Sequence, residues 1–138
     1  KWTDQSVKNI YQNMKFKKDV IFLGRIKDDE LVQILASAHA LCFISLFEGF
    51  GLPIIEAMKL RVPVITSNTS CMPEIAQDCA IIVDPYNTNE IKNAMSQIST
   101  DTLLRKKLIQ KGEARAKDFN WSKSADKIWK IIRKCKNQ

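Results

Sequence analysis

The sequence lacks several features that would place the protein in a special class. No apolar run approaches the roughly 20 residues that span a bilayer, and Lys1 is not followed by a charged and then apolar leader. None of the four cysteines lies two residues from another, so we expect them to be structural. These absences predict a cytoplasmic protein of one domain, 138 residues long, whose core needs no disulfide or metal.

Motifs for a metal or a dinucleotide are also missing. There is no Asp-x-Asp pair, and no Gly-x-Gly-x-x-Gly follows the first apolar run, which argues against a Rossmann dehydrogenase. The acidic run at residues 28–30 could suggest a metal site, but negative charge at a helix start is the simpler interpretation. His39 lies between two alanines at a predicted helix end, and we expect it to be structural. The sequence therefore predicts no metal.

Positive charge is scarce in most of the chain and concentrated at its end. From Arg105 onward there are 12 Lys and Arg against 3 Asp and Glu, whereas the first 104 residues have 10 against 12. Residues 122–136 predict an amphipathic helix with Ile128 and Trp129 on its apolar face and Lys127 and Lys130 on the opposite face. We expect the lysine face to be solvated, although it leaves open a peripheral contact with an anionic membrane. No nucleic-acid partner is expected, because the helix has few aromatic residues to stack on bases.

Short apolar runs alternate with helical patterns along the rest of the chain. The runs at residues 20–23, 40–44, 62–66 and 80–83 predict strands, and amphipathic helices separate or follow them. This alternation predicts βαβ units, so the expected fold class is α/β, with a Rossmann-like parallel sheet and helices on both faces. Ligands of such sheets bind where strands end and helices begin.

One glycine-rich stretch joins a predicted buried strand to a helix. It reads Glu-Gly-Phe-Gly-Leu-Pro-Ile-Ile-Glu from Glu48 to Glu56. Gly49 and Gly51 have no Cβ, so the backbone can turn tightly and approach a ligand closely. Pro53 fits the first helical turn, where its missing N–H costs little. The free N–H groups of such a helix start favour phosphate or another anionic oxygen.

The two glutamates make this pattern more specific. Glu48 precedes the helix, and the side chain of Glu56, about one turn inside it, tilts back toward the helix start. Both carboxylates can thus reach one cleft, where phosphates would repel them and hydroxyl groups would donate hydrogen bonds to them. A molecule with phosphates between two hydroxyl-rich sugars fits this pattern. The alternative is a pair of solvated carboxylates that favour a helix start.

These motifs resemble the C-terminal half of retaining glycosyltransferases of the GT-B fold, in the large family 4 group. The similarity begins at residues 20–25 and includes the glycine-rich stretch, Glu-Ala-Met at residues 56–58 and Val-Pro-Val-Ile at residues 62–65. It continues through Val-Asp-Pro at residues 83–85 to Phe-Asn-Trp-Ser at residues 119–122, and so covers nearly the whole chain. Ile44, where proline is common, and Leu60-Arg61, where small residues are common, depart from the pattern. We expect these differences to affect packing and substrate detail.

The resemblance implies transfer of a sugar from a nucleotide diphosphate sugar with retention of configuration, in polysaccharide or glycolipid synthesis, with no metal and no cofactor besides this substrate. Glu48 would be the catalytic residue and contact hydroxyls of the transferred sugar, and Glu56 would hold the ribose. Arg25 and Ile26 resemble positions near the nucleobase. The backbone N–H groups that would face the sugar and the diphosphate are those of Gly49, Phe50, Gly51 and Leu52.

The resemblance also implies that the natural protein is longer. In the family, an acceptor-binding N-terminal domain comes first, and this half begins with two strands around a basic, glycine-rich turn that is absent here. We therefore expect residues 1–138 to be a single nucleotide-sugar-binding domain, truncated at its N-terminus, with an incomplete sheet and no transfer activity alone. The helix at residues 122–136 would cross back to the absent domain. A non-catalytic nucleotide-sugar-binding module, or a subunit of a split glycosyltransferase, is the alternative.

Overall fold

A computed structural model describes residues 4–136. Its contacts group the chain into two compact units, which divide after Leu31. The first unit contains α1 (Gln5–Asn13), a 3-10 turn (Lys17–Asp19) and the first residues of α2 (Asp28–Ser37). The second unit contains the end of α2 and the following strands and helices: β1 (Leu41–Phe43), α3 (Leu52–Lys59), β2 (Val64–Ser67), α4 (Met72–Ala76), a 3-10 turn (Gln77–Cys79), β3 (Ile81–Val83), α5 (Thr88–Thr100), α6 (Thr102–Ala116) and α7 (Trp121–Lys136).

Short polar side chains set the starts of several helices. The Asp4 carboxylate accepts a hydrogen bond from the Ser6 N–H at 2.8 Å at the start of α1. The Asp101 carboxylate accepts one from the Leu104 N–H at 2.8 Å, which ends α5 and starts α6 at the same residue. Such caps satisfy N–H groups that have no partner inside the helix. The helix boundaries thus follow from local chemistry.

The second unit is built on a parallel sheet in the order β1-β2-β3. Leu41 pairs with Val64 at the start of β1, and Ser67 pairs with Val83 at the end of β2. Since all three strands run in the same direction, their carboxyl ends lie at one edge of the sheet. The sequence predicted these three strands within two residues at each end, and the α/β fold class is confirmed.

Helices cover both faces of this sheet through alternate residues of β2. Val64 belongs to a core cluster with residues of α3 and α4, such as Met58 and Met72. Ile65, the next residue, belongs to a second cluster with Ala94 and Ile98 of α5. Successive side chains of a strand point to opposite faces, so a strand that is buried on both faces has an unbroken apolar run. This confirms the predicted helix layers on the two faces.

The strand predicted at residues 20–23 is wrong. In the structure these residues follow the 3-10 turn without forming a strand, and Ile21 is 78% exposed. Phe22 makes an edge-to-face contact with Tyr11 at 5.1 Å between ring centroids. An apolar run becomes a strand only when a neighbouring strand accepts its backbone hydrogen bonds, and residues 4–31 contain no strand. The incomplete sheet agrees with the expectation from the sequence.

Within residues 4–136, no helix is long and apolar enough to cross a bilayer. The C-terminal helix predicted at residues 122–136 is confirmed as α7, and each of its residues is exposed. The prediction of one nucleotide-sugar-binding domain over residues 1–138, truncated at its N-terminus, stays a prediction.

Candidate functional site

The candidate site lies at the carboxyl edge of the sheet, where the loop after β1 meets the loop after β2. The Thr66 hydroxyl donates to the Phe43 carbonyl oxygen at 2.8 Å, and the Ser67 hydroxyl donates to the Ser45 carbonyl oxygen at 2.5 Å. The Thr69 hydroxyl donates to the Leu46 carbonyl oxygen at 3.0 Å. These contacts join the carboxyl ends of β1 and β2 and the loops that follow them, which are more than 20 residues apart in the sequence, at the edge where ligands of parallel sheets bind.

Glu48 lies in the first of these loops and is half-buried. Its Oε1 atom accepts a hydrogen bond from the Ser45 hydroxyl at 2.8 Å. Its backbone is held by the second loop, since the Ser70 hydroxyl donates to the Glu48 carbonyl oxygen at 2.7 Å and accepts from the Glu48 N–H at 3.3 Å. The Cys71 thiol also lies 3.3 Å from that carbonyl oxygen. Both the carboxylate and the peptide of Glu48 are therefore anchored.

Gly51 forms the turn that starts α3. Its φ of +82° lies in the left-handed region, which a residue with a Cβ enters only with strain. The residue is buried, and a Cβ at this position would approach the Ile54 Cδ1 atom to 3.3 Å. Gly49 has no atom within 4 Å of such a position. The sequence predicted a turn that needs glycine, and the structure shows that Gly51 is the glycine that the turn requires.

Four consecutive backbone N–H groups of this turn have no acceptor in the part of the chain that the structure describes. They belong to Gly49, Phe50, Gly51 and Leu52. Backbone donors in folded proteins nearly always find a partner in the protein or in water, so a run of four free donors at a helix start is suited to an anionic or carbonyl-type ligand. Leu52, the fourth residue in the predicted set, is the first residue of α3 and is 48% exposed.

The other predicted residues are placed as follows. Glu56 lies on α3, and its side chain is exposed. Arg25 and Ile26 belong to the first unit, just after a left-handed turn at Gly24, with Arg25 exposed and Ile26 half-buried. Glu48, Gly49, Phe50, Gly51, Leu52 and Glu56 all belong to the second unit, within one segment between β1 and the end of α3.

The hydroxyl groups that hold the Glu48 loop were not predicted from the sequence. Ser45, Thr69 and Ser70 were not singled out, yet they make most of the contacts between the two loops. The signal that could have found them is the polar run after β2, because a loop at the carboxyl end of one parallel strand lies beside the loop that follows its neighbour.

A small cavity of about 80 Å³ opens beside the turn. Its lining includes Phe50, Leu52 and Ile55, together with Phe119 and Trp121 from the segment that enters α7. The rings of Phe50 and Phe119 meet edge to face with centroids 6.1 Å apart. The turn is therefore supported by the phenylalanine that the sequence placed near the start of the last helix.

No group of three or more His, Cys, Asp or Glu side chains that could hold a metal occurs among residues 4–136. His39 does not belong to the candidate site: its Nε2 atom lies 3.3 Å from the Ile98 carbonyl oxygen, at the end of α5.

Comparison with known proteins places the chain in a family of sugar-transferring enzymes. The family model for glycosyl transferases group 1 matches residues 2–115, and the chain belongs to that family. It is 32% identical over 120 residues to O-antigen chain mannosyltransferase B of Escherichia coli. The matched region covers 87% of this chain and 32% of that protein. It is 33% identical over 104 residues to MMP alpha-(1->4)-mannosyltransferase of Mycolicibacterium hassiacum. This second match covers 72% of this chain and 25% of that protein.

A solved structure shows the same fold. Sucrose-phosphate synthase from Thermosynechococcus elongatus superimposes with a TM-score of 0.80 and 26% sequence identity, over 94% of this chain and 33% of that protein. The GT-B resemblance drawn from the sequence is thereby confirmed. The chain spans about a quarter to a third of the length of these relatives.

Proposed function

We propose that this chain is the donor-binding part of a glycosyltransferase that moves a mannosyl group from a nucleotide diphosphate sugar, with retention of configuration, in polysaccharide or glycolipid synthesis. The family membership supports sugar transfer, and the similarity to two mannosyltransferases supports the mannosyl group. The observation that carries the proposal is the run of free N–H groups from Gly49 to Leu52 directly beside Glu48.

In this proposal the turn binds the diphosphate and the transferred sugar by different groups. The free N–H groups donate to phosphate or sugar oxygens, and negative charge is favoured at the start of α3. The Glu48 carboxylate accepts from sugar hydroxyls through Oε2, which has no partner among the described residues, while Ser45 donates to Oε1. A hydrogen bond to a charged acceptor contributes about 1.5–3 kcal/mol, so loss of this carboxylate lowers affinity about tenfold or more.

The nucleotide end of the donor is assigned to other residues. We propose that Glu56 accepts hydrogen bonds from the ribose hydroxyls, since its carboxylate is exposed on α3. Arg25 and Ile26 are assigned to the nucleobase, on the family resemblance alone. The substrate supplies the reacting groups, and the proposal includes neither a metal nor a further cofactor.

The activity of the whole protein is part of the proposal, because the chain spans only about a third of the first mannosyltransferase it matches. We expect sugar transfer to need an acceptor-binding domain and basic residues that stabilise the leaving diphosphate, and we expect no turnover from residues 1–138 alone. A nucleotide-sugar-binding module, or a subunit that becomes active with a separate partner chain, is the second candidate.

We propose two contacts for α7. Its apolar residues Ile128, Trp129 and Ile132 are each about half exposed, and a second domain of the enzyme would cover them. In the cytoplasm, the lysines on the opposite face would contact anionic lipid at the inner face of the membrane. Each basic residue near such a surface adds about 1 kcal/mol of binding free energy. The proposal includes no nucleic-acid partner.

Calorimetric titration of the 138-residue chain with GDP-mannose, UDP-glucose and GDP tests the donor site. We expect Glu56→Gln to weaken binding of GDP and of the sugar nucleotide alike, whereas Glu48→Gln weakens only the sugar nucleotide, in each case about tenfold. Glu74→Gln, which changes an exposed carboxylate on α4, is the matched control and should bind as the parent chain does. Absence of binding to all three probes would contradict the donor site.

Transfer itself requires a second measurement. The chain alone should release no mannose from GDP-mannose. If the chain is a subunit of a split enzyme, it should release mannose when the N-terminal half of a glycosyltransferase is supplied as a separate chain. Robust turnover by residues 1–138 alone would show that the expected division of labour between two domains is wrong.

A further inference from the structure

Several of the hydrogen bonds between the two loops at the carboxyl edge of the sheet meet at Glu48. We propose that Ser45 and Ser70 are positioning residues of the sugar-transfer site, with Ser70 holding the peptide of Glu48 and Ser45 holding its carboxylate. This inference rests on the proposed function, because it gives Glu48 the role of contacting the transferred sugar.

Ser70 holds the Glu48 peptide from both ends. Its hydroxyl donates to the Glu48 carbonyl oxygen at 2.7 Å and accepts from the Glu48 N–H at 3.3 Å. Together these bonds fix the peptide groups before and after Glu48, and the second of those peptides carries the Gly49 N–H. A single hydroxyl group therefore sets the direction of the glutamate and of the first free donor of the turn.

The backbone of Ser70, which makes this contact, is strained. Its φ is +54°, in the left-handed region that residues other than glycine seldom enter, at a cost of about 1–2 kcal/mol. Glycine would adopt this conformation without strain but has no hydroxyl group. Backbone strain and hydrogen bonding can therefore be separated at this position, which makes it suitable for a test.

Ser45 acts on the carboxylate. Its hydroxyl donates to Oε1 of Glu48 at 2.8 Å, while its carbonyl oxygen accepts from the Ser67 hydroxyl at 2.5 Å. Ser45 is thus fixed by β2, and it transmits that position to one oxygen of the glutamate. Because the carboxylate is planar, fixing Oε1 also fixes the direction of Oε2, which in this proposal accepts from a sugar hydroxyl.

The first test needs no ligand. Amide hydrogen exchange of the 138-residue chain is followed in peptides that cover residues 45–51, for Ser70→Ala and Ser70→Gly. We expect exchange of the Glu48 amide, the amide of this segment that donates to the Ser70 hydroxyl, to rise about tenfold in both variants, because that hydrogen bond is lost. Global stability should differ between them, since glycine relieves the strain and alanine does not. Ser99→Ala, on the exposed side of α5, is the control and should leave the segment unchanged. Unchanged exchange in both Ser70 variants would overturn the anchoring role.

The second test measures the carboxylate. Binding of GDP-mannose and of GDP is compared for Ser45→Ala, Ser45→Thr and Glu48→Gln. We expect Ser45→Ala to weaken GDP-mannose about tenfold with GDP unchanged, Ser45→Thr to restore binding because it keeps the hydroxyl, and Ser45→Ala to add nothing in a Glu48→Gln background.

The outcomes separate this inference from the function on which it rests. If the parent chain binds GDP-mannose and Glu48→Gln weakens it, while Ser45→Ala has no effect or weakens GDP equally, the positioning role is wrong and the donor site stands. If the parent chain binds neither probe, the donor site fails and the positioning role in sugar transfer fails with it, whatever hydrogen exchange shows for the loop.

Discussion

Gly112 of α6 lies so close to Met58 of α3 that a Cβ at residue 112 would approach the Met58 Cγ atom to 3.0 Å. Both residues are buried, and Met58 is part of the core cluster that also contains Val64 of β2. The contact brings α6 against the helix that starts at the candidate site. The helices α6 and α3 can therefore approach this closely because Gly112 has no side chain.

Gly112→Val should destabilise the chain by about 1–3 kcal/mol, because the added methyl groups overfill the contact with Met58. Urea unfolding measures the change. Gln110→Val, at an exposed position of the same helix, is the matched control and should cost only about 0.5 kcal/mol through helix propensity. Valine is a better helix former than glycine, so propensity alone would make Gly112→Val slightly more stable than the parent chain, and absence of a loss in this variant would contradict the close approach of the helices.

Gly51→Ala should lower both stability and donor binding. Alanine at a φ of +82° costs about 1–2 kcal/mol, and its Cβ would press on the Ile54 side chain at the start of α3. Gly49→Ala is the control, since nothing lies within 4 Å of the added methyl group. We expect its thermal unfolding to match that of the parent chain, and a loss as large as that of Gly51→Ala would contradict the turn as described.

Arg115→Met should cost about 2 kcal/mol. The guanidinium donates to the carbonyl oxygens of Glu74 at 2.9 Å and Ile75 at 3.1 Å, and it lies 4.7 Å from the ring centroid of Phe119. The side chain is 17% exposed, so these polar contacts are poorly replaced by water.

The ion-pair partner of Arg115 provides the comparison. The Asp118 carboxylate is 60% exposed, so Asp118→Asn should cost less than about 1 kcal/mol in the same urea titration. If the two substitutions were equally harmful, the ion pair would be the main contribution of Arg115, and its contacts to α4 would be minor.

Asp78 makes stability depend on pH. The Lys111 ammonium group, through a hydrogen bond and its charge, lowers the pKa of Asp78 below its ordinary value of 3.8. A carboxylate with a lowered pKa in the folded state stabilises the fold above pH 3.8, and this stabilisation is lost as the pH falls through the folded pKa. Asp78→Asn should thus be less stable than the parent chain at pH 7.

Chemical denaturation at a series of pH values checks this prediction. The difference between Asp78→Asn and the parent chain should shrink steadily as the pH falls below 3.8. Lys111→Met should give a similar dependence, because it removes the other member of the same pair. A difference that stays constant down to the lowest pH would mean that asparagine acts through something other than charge.

The lysine face of α7 predicts binding to acidic vesicles. Replacing Lys123, Lys127, Lys130 and Lys134 by Gln should abolish sedimentation of the chain with phosphatidylserine vesicles, since each basic residue contributes about 1 kcal/mol. Replacing four exposed serines by another uncharged residue leaves the charge unchanged and provides the control. Suitable positions are Ser6, Ser37, Ser96 and Ser99. If binding to vesicles depended neither on salt concentration nor on anionic lipid, an electrostatic contact between the lysine face and the membrane would be excluded.

The chain shows how far local patterns determine a fold of this type. The apolar runs at residues 40–44, 62–66 and 80–83 predicted strands because each is short, apolar and followed by a turn, and all three form. The equally apolar run at residues 20–23 does not, since strand formation depends on a neighbour and residues 4–31 contain no strand. A single run contains no information about its partner.

The same contrast holds at the candidate site. Glu48 and Gly51 were predicted from the spacing of carboxylates and glycines around a helix start. The hydroxyl of Ser70 could not be assigned in that way, because its contact with Glu48 crosses 22 residues and depends on the pairing of β1 with β2.

The sequence by itself determined the α/β class, the last helix and the glycine turn before α3, because periodicity and left-handed backbone conformations are local properties. Tertiary structure alone decided which runs became strands and which hydroxyl groups hold Glu48. Those outcomes depend on backbone and side-chain partners distant in the chain, and only the folded arrangement brings them within hydrogen-bond distance.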